Sequence, residues 1–350
     1  MKKFAIHILL LAALVACSEG QESLNQGEPI AFACAFEEDT ILDAEKNRTR
    51  ATTDISSFMV WGTANNVLIY NDNTVSNGSG VWICDKQQFW VPDAEYKFTA
   101  VSGINAANVT DEDQFGMPTE LTYDSEAQTD MCYAKATAKG KHTGNEKVNF
   151  KFSHTLSRLG FTMDASVEKT AITSVVQARF KVTNITLSPI SGASGLFYKS
   201  ATFDLNSSSY KWNTNNSQLG DSIVMTSDSF SADNNSGLKL TQTENEGSVQ
   251  VNADNKFIML IPQNLSANGF NVSIEYEVTL FGKNKDTNEY DVEYNRYTKS
   301  GGGTVKLNFE QNKAYMIKLN VDLNEVTIDE NVSMTKWEEV DEIIIDGIVQ

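Results

Sequence analysis

Apolar and polar residues alternate along most of this chain with a period of two. Successive side chains of a strand point to opposite faces, so this period predicts strands with one buried face. The clearest runs are Phe58-Met59-Val60-Trp61, Gln88-Phe89-Trp90-Val91, Tyr96 to Val101, Phe180 to Leu187, Lys256 to Ile261, Val272 to Leu280 and Tyr315 to Val321. Between them lie turn-forming stretches such as Asn77-Gly78-Ser79-Gly80, Asn206-Ser207-Ser208-Ser209 and Gly301-Gly302-Gly303. No long stretch has a helical period; Val167 to Gln177 is a short helix or one more strand. Many short strands between turns predict an all-β protein built of β-sandwiches.

The chain has 350 residues, which at ~150 per domain predicts about two domains. The polar stretch Ala138 to Glu146 carries two glycines and precedes a new strand at Val148. A boundary there divides the body into an N-terminal sandwich at 51–145 and a larger C-terminal sandwich at 146–337. The Asn-, Ser- and Asp-rich segment from Asn206 to Gly247 predicts long surface loops in the second.

Residues 1–17, MKKFAIHILLLAALVAC, place Lys2 and Lys3 before an apolar run from Phe4 to Ala16. The run is too short to span a bilayer, which needs ~20 apolar residues, and reads as a secretory signal. Its end, Leu14-Val15-Ala16-Cys17, resembles a bacterial lipobox, in which Cys17 becomes the lipidated first residue. The acidic stretch that follows, SEGQESLNQGE, resembles the surface-export signal of lipoproteins in Bacteroides-like bacteria. Together they predict an outer-membrane lipoprotein on the cell surface, held initially by its lipid.

Composition removes several classes of function. Lys and Arg number 28 against 46 Asp and Glu, a net charge of −18, which argues against a nucleic-acid partner. With only three histidines, His7, His142 and His154, a catalytic or metal site built on a histidine cluster is hard to assemble. The four cysteines, at 17, 34, 84 and 132, form no CxxC pair. With Cys17 given to lipid three remain, and where cleavage also removes Cys34, Cys84 and Cys132 are left as a pair that could bridge within the first domain. No GxSxG, HExxH, Walker A or EF-hand pattern occurs. Asp111-Glu112-Asp113, Asn71 to Thr74 and Asp233 to Ser236 read as solvated loops and turns. No enzyme activity, metal or cofactor is expected. Trp82, Trp90, Phe98, Phe152 and Phe161 read as core aromatics, and His154 as a structural histidine.

The two ends carry a different kind of signal. Glu28 to Phe36 is a clean period-two strand, with Ile30, Phe32, Cys34 and Phe36 on one face and Ala31, Ala33 and Ala35 on the other. A polar linker follows, containing Asn47-Arg48-Thr49-Arg50-Ala51-Thr52-Thr53. Basic residues in a polar linker make a protease site. Residues 18–50 thus read as a tether or propeptide with a removable strand at 29–36, or as an uncleaved tether. At the other end, Ile343, Ile345 and Val349 share one face of Asp341 to Gln350, and Ile344 and Ile348 the other. Such an end needs a partner strand. It is a donor strand at 338–350, centred on Ile343, Ile345, Ile348 and Val349, or the last strand of its own domain. Val326 to Asp329 and Val332 to Trp337 are candidates for a second donated or docking strand.

Four stretches, in order, resemble the fimbrillin family of Bacteroidales, the subunits of type V pili. They are Val81 to Pro92 followed by Tyr96 to Ala100, then Phe150 to Phe161 with its Phe-x-His-x-Leu pattern, then Leu260-Ile261-Pro262-Gln263, then Phe309 to Tyr315. The resemblance implies two transthyretin-like β-sandwich domains in tandem. It also implies that an arginine-specific protease cuts the linker, with Arg50 the better match and Arg48 the runner-up. Cutting excises a strand that had completed the first sandwich, and subunits polymerise by donor-strand exchange with other copies or other pilus subunits. A stalk or short accessory subunit fits the length, with host or bacterial surface ligands as the further partners. The competing reading is a surface glycan-binding lipoprotein of a polysaccharide-uptake system, using Trp212 to stack on a sugar ring.

Overall fold

The computed structural model describes residues 27–36, 55–165 and 172–336, less 173, 175, 192, 194, 207–210, 216, 255, 324–325 and 329–332. The fold is all-β, as the period-two pattern predicts. A five-residue helix, α1 (Ala232–Ser236), and short 3-10 turns are the helical elements among the described residues. None of the described helices is long and apolar enough to cross a membrane.

The first lobe is one seven-stranded sheet. Its hydrogen-bonded order is β1 (Phe32–Phe36), β9 (Val148–His154), β8 (Cys132–Lys139), β5 (Glu95–Ser102), β2 (Ser57–Ala64), β3 (Val67–Gly78), β4 (Val81–Cys84). Alternation explains the packing. In β5, Tyr96, Phe98 and Ala100 point into the lobe's core, and Val101 points out the other side. In β9, Val148, Phe150 and Phe152 point in while Asn149 and Lys151 stay exposed. The interior is so tightly filled that β2 needs a glycine: a Cβ on Gly62 would stand 2.7 Å from the Phe98 ring.

The second lobe packs two sheets. One runs β16 (Val249–Gln250), β10 (Ser157–Ala165), β22 (Lys313–Val321), β23 (Val326–Ile328), with β17 (Ile258–Leu260) on β10 and β24 (Ser333–Lys336) on β22. The other runs β14 (Ile223–Met225), β11 (Val176–Pro189), β19 (Phe270–Lys283), β20 (Tyr290–Val305), with β15 (Leu238–Leu240) on β11. Phe161, Met163, Phe180, Ile274, Tyr276 and Ile317 meet between them. A two-stranded piece, β18 (Gln263–Asn264) with β21 (Asn308–Phe309), lies outside these sheets.

A four-stranded sheet ties the lobes together: β13 (Lys211–Asn213), β12 (Ser200–Asp204), β7 (Pro118–Asp124), β6 (Val109–Glu112). Its Tyr123 and Phe203 share a third core with Trp61 and Tyr133 of the first lobe and Phe257 and Met259 from before and within β17. The division expected at 145/146 therefore runs through a sheet. It parts β8 from β9, which pair at Cys132↔His154 and Tyr133↔Ser153. It also parts β7 from β12, which pair over five residues. By pairing, β9 through His154 belongs to the first lobe's sheet, and within the polar stretch Ala138 to Glu146 the first two residues end β8 while the rest runs on to β9.

The candidate second donor segments are paired in their own chain. β23 pairs antiparallel with β22 at Leu319↔Ile328, and β24 pairs with β22 at Tyr315↔Met334.

Candidate functional site: the slot that holds the first strand

Residues 27–36 are the feature around which the first lobe closes. On one side β1 pairs in parallel with β9, from Phe32↔Val148 to Phe36↔Phe152. On the other side, just upstream, Pro29 bridges Phe89. The Ile30 amide donates to the Gln88 carbonyl at 2.8 Å, and the Trp90 amide donates to the Glu28 carbonyl at 2.9 Å. The Val148 amide donates to the Ala31 carbonyl at 2.8 Å. One ten-residue segment thus joins β9 to the stretch after β4, the two ends of the sheet.

The expected inward face is found, graded from deep to shallow. Ile30 and Phe32 are core residues at 6% and 2% exposure. Cys34 and Phe36 are half-buried against the same core, and Ala35 on the other face is exposed. Phe32 meets four rings from four strands: Phe58 at 6.4 Å, Tyr70 at 5.6 Å, Phe98 at 6.2 Å and Phe150 at 5.8 Å. Burial pushes the Cys34 thiol up to about 11, so it is not a thiolate while the strand is seated.

Glu28 fastens the segment to the hairpin between β8 and β9. Its carboxylate accepts from the Gly144 amide at 2.8 Å, the Asn145 amide at 2.7 Å and the Asn145 side chain at 3.0 Å. The Asn145 amide, then that of Gly144, holds the carboxyl below its ordinary value. The alternation of residues 28–36 is legible in the sequence. The clasp is not, because its partners stand 116 and 117 positions away.

The other expected residues fall as follows. Cys17, Arg48, Arg50, Ile343, Ile345, Ile348 and Val349 lie outside the described residues. Cys84 and Cys132 do not bridge: none of Cys34, Cys84 and Cys132 is in a disulfide. The reason is the strand order, which sets β3, β2 and β5 between β4 and β8. Cys84 contacts the Asp85 carboxylate at 3.8 Å, and Cys132 faces the His154 ring at 3.3 Å.

Trp212 is engaged within the fold. Its indole N–H donates to the Thr155 carbonyl at 2.8 Å, and its ring packs on Phe203, its partner across β12 and β13, at 5.1 Å. The acidic run before β7 shapes a turn. Asp113 accepts from the amides of Phe115 and Met117, and Asp111 accepts from the Thr119 hydroxyl at 3.0 Å. Asp233 to Ser236, expected as a turn, belongs to α1, and its Asn234 is buried and bonds both backbone groups of Val182. Sequence reasoning missed it because a solvated turn and a buried amide read alike.

A fimbrillin-like family model matches residues 43–337. The chain belongs to the fimbrillin-like family. Among solved structures it is similar to a fimbrial protein from Bacteroides vulgatus, at 15% identity and a TM-score of 0.57, covering 89% of this chain and 100% of that one. It is also similar to a candidate cell adhesion protein from Bacteroides ovatus, at 14% identity and a TM-score of 0.49, covering 91% and 99%. At these identities the first likeness speaks for the fold, and the family match carries the assignment. No curated protein matches the chain. This fimbrillin-like chain thus keeps a ten-residue segment, ahead of a polar linker, at the closure of its first sheet.

Proposed function

We propose that the chain is a structural subunit of a type V-like fimbrium supporting cell adhesion, and not an enzyme. It is exported as a lipoprotein on Cys17 and reaches the outer-membrane surface. An arginine-specific protease cuts after Arg50, with Arg48 the alternative, and the segment holding β1 departs. The slot is refilled by the C-terminal strand of another subunit, through residues equivalent to Ile343, Ile345, Ile348 and Val349. The mature body then consists of the two lobes.

The observation that supports this reading most is the double pairing of residues 27–36. A segment bonded on both sides leaves two rows of unpaired backbone groups when it goes, and Phe32 leaves a gap among four rings. An apolar slot with open edges is satisfied by strand addition. The donor face Ile343, Ile345, Val349 has the alternation that a slot lined by Phe58, Phe98 and Phe150 requires. β24 is the last described strand and ends at Lys336, and the proposed donor at 338–350 follows it in the sequence.

N-terminal sequencing of sheared surface material tests the proposal, with Ala51 the expected first residue. An N-terminus at lipidated Cys17 in all of it would sink the polymerising-subunit reading. Deleting Ile343 to Gln350 should leave folded monomer and remove SDS-resistant multimer ladders. Unfolded protein after that deletion would assign the segment to its own domain instead.

A further inference from the structure

His154, Cys132 and Asp130 meet in the first lobe on the side opposite the Glu28 clasp. β8 and β9 set Cys132 and His154 directly across from each other, and Asp130 precedes β8 by two residues. The Asp130 carboxylate lies 2.8 Å and 3.0 Å from His154 Nδ1 by its two oxygens. Cys132 Sγ lies 3.3 Å from the same nitrogen. One ligand atom from each residue falls within 4.8 Å of the others. Cys132 and His154 are each 1% exposed, and Phe36 of β1 lies flat over the imidazole at 4.6 Å.

Two arguments point to a cation. First, an imidazole nitrogen has a single in-plane direction for a hydrogen or a lone pair. A carboxylate and a sulfur both converge on Nδ1, which can hydrogen-bond fully to only one of them, and the thiol's own hydrogen has the Asp130 backbone carbonyl at 3.9 Å as a weak acceptor. A metal ion placed between the three groups serves all of them at once. Second, the charges balance. A thiolate, a carboxylate and a neutral imidazole neutralise one divalent ion, which a buried site requires. The donor set of sulfur, nitrogen and oxygen is that of Zn²⁺. Bond lengths of about 2.0–2.3 Å would set the ligand atoms roughly 3.3–3.7 Å apart in a tetrahedron. The sulfur–nitrogen distance of 3.3 Å is already there, and the carboxylate has to withdraw by less than an ångström.

We propose that Asp130, Cys132 and His154 form a binding site for one Zn²⁺-like divalent ion, roofed by Phe36. Binding replaces the thiol proton, which leaves to solvent, and the fourth position is open to water or to the second Asp130 oxygen. The site does not rest on the fimbrial reading, since its three ligands stand on or just before the β8–β9 pair and only the Phe36 roof belongs to the segment proposed to leave.

Cobalt(II) is the probe. In the full chain carrying Cys17→Ser, Cys34→Ser and Cys84→Ser, Cys132 is the one thiol left of four. That protein should bind one equivalent of Co²⁺, with thiolate-to-cobalt charge-transfer absorption and the visible bands of a tetrahedral ion. Cobalt binding should release the one thiol proton, and one equivalent of Zn²⁺ should then displace the cobalt with no further proton released. Asp130→Asn should weaken binding by about tenfold or more, and His154→Gln should remove the tetrahedral bands. Absence of the charge-transfer band in the protein that retains Cys132 overturns the proposal, whether or not the His154 variant folds. So does a band that survives a further Cys132→Ser.

Discussion

Phe32→Ala is the sharpest perturbation of the first strand. The ring is 2% exposed and sits among Phe58, Tyr70, Phe98 and Phe150, which belong to β2, β3, β5 and β9. Removing a buried phenyl costs about 3–5 kcal/mol, more when the walls cannot close on the gap. Here the walls are rings fixed by four strands, so the expected loss is about 4 kcal/mol. Equilibrium urea unfolding followed by tryptophan fluorescence reads it, with Trp61, Trp82 and Trp90 in this lobe. At a slope of about 2 kcal/mol/M the midpoint should fall by about 2 M. Ala35→Ser, on the exposed face of the same strand, should stay within about 0.5 kcal/mol. Hydrogen exchange adds the location: the Phe32 to Phe36 amides should lose protection before those of β2 and β5. A loss under about 1 kcal/mol would refute the view that Phe32 anchors the lobe.

Three further outcomes follow from the same geometry. The Glu28 carboxyl is held below its ordinary value of 4.5, so its contribution is complete above that pH and is lost as pH falls through the lowered value; urea midpoints across this range should show an acid-side decline that Glu28→Gln removes. Cys34, pushed up to about 11 by burial, should resist alkylation at neutral pH in the intact chain and react readily in the released segment once residues 27–36 leave, as mass spectrometry of the labelled peptide would show. Asn234→Ala strips both backbone partners from Val182, at the register shift of β11 on β19, and should cost about 2–4 kcal/mol by thermal unfolding with β11 amides deprotected.

The strands were legible wherever one face is buried and the other wet, as in Val148 to Phe152 or Tyr96 to Val101. There the period-two pattern states which side each residue takes. The same rule gave the inward face Ile30, Phe32, Cys34, Phe36 of the first strand. What it could not give is pairing between distant strands, since register depends on partners that alternation alone does not name. The parallel match of Phe32 with Val148, the meeting of Cys132 and His154, and the joining of β7 to β12 are all of this kind. Polar residues misled for a related reason. Ala138 to Glu146 has the composition of a linker but serves as a hairpin turn that grips Glu28. Trp212 sits in polar sequence yet closes on Phe203 and Thr155.

The distance along the chain between β1 and its partner has a kinetic meaning. Phe32 pairs with Val148, so the loop closed by that contact holds over a hundred residues. Strands β2, β3, β5 and β8 pair with one another across much shorter loops, such as Ala64↔Val67 and Ser102↔Cys132. Loop entropy favours the short closures, and long-range pairing lags behind them. The lobe therefore reaches most of its sheet first and receives its N-terminal strand late, as a lid pressed into a nearly finished box. An element that arrives last and is bonded only along its own length can also depart without dismantling what was built before it.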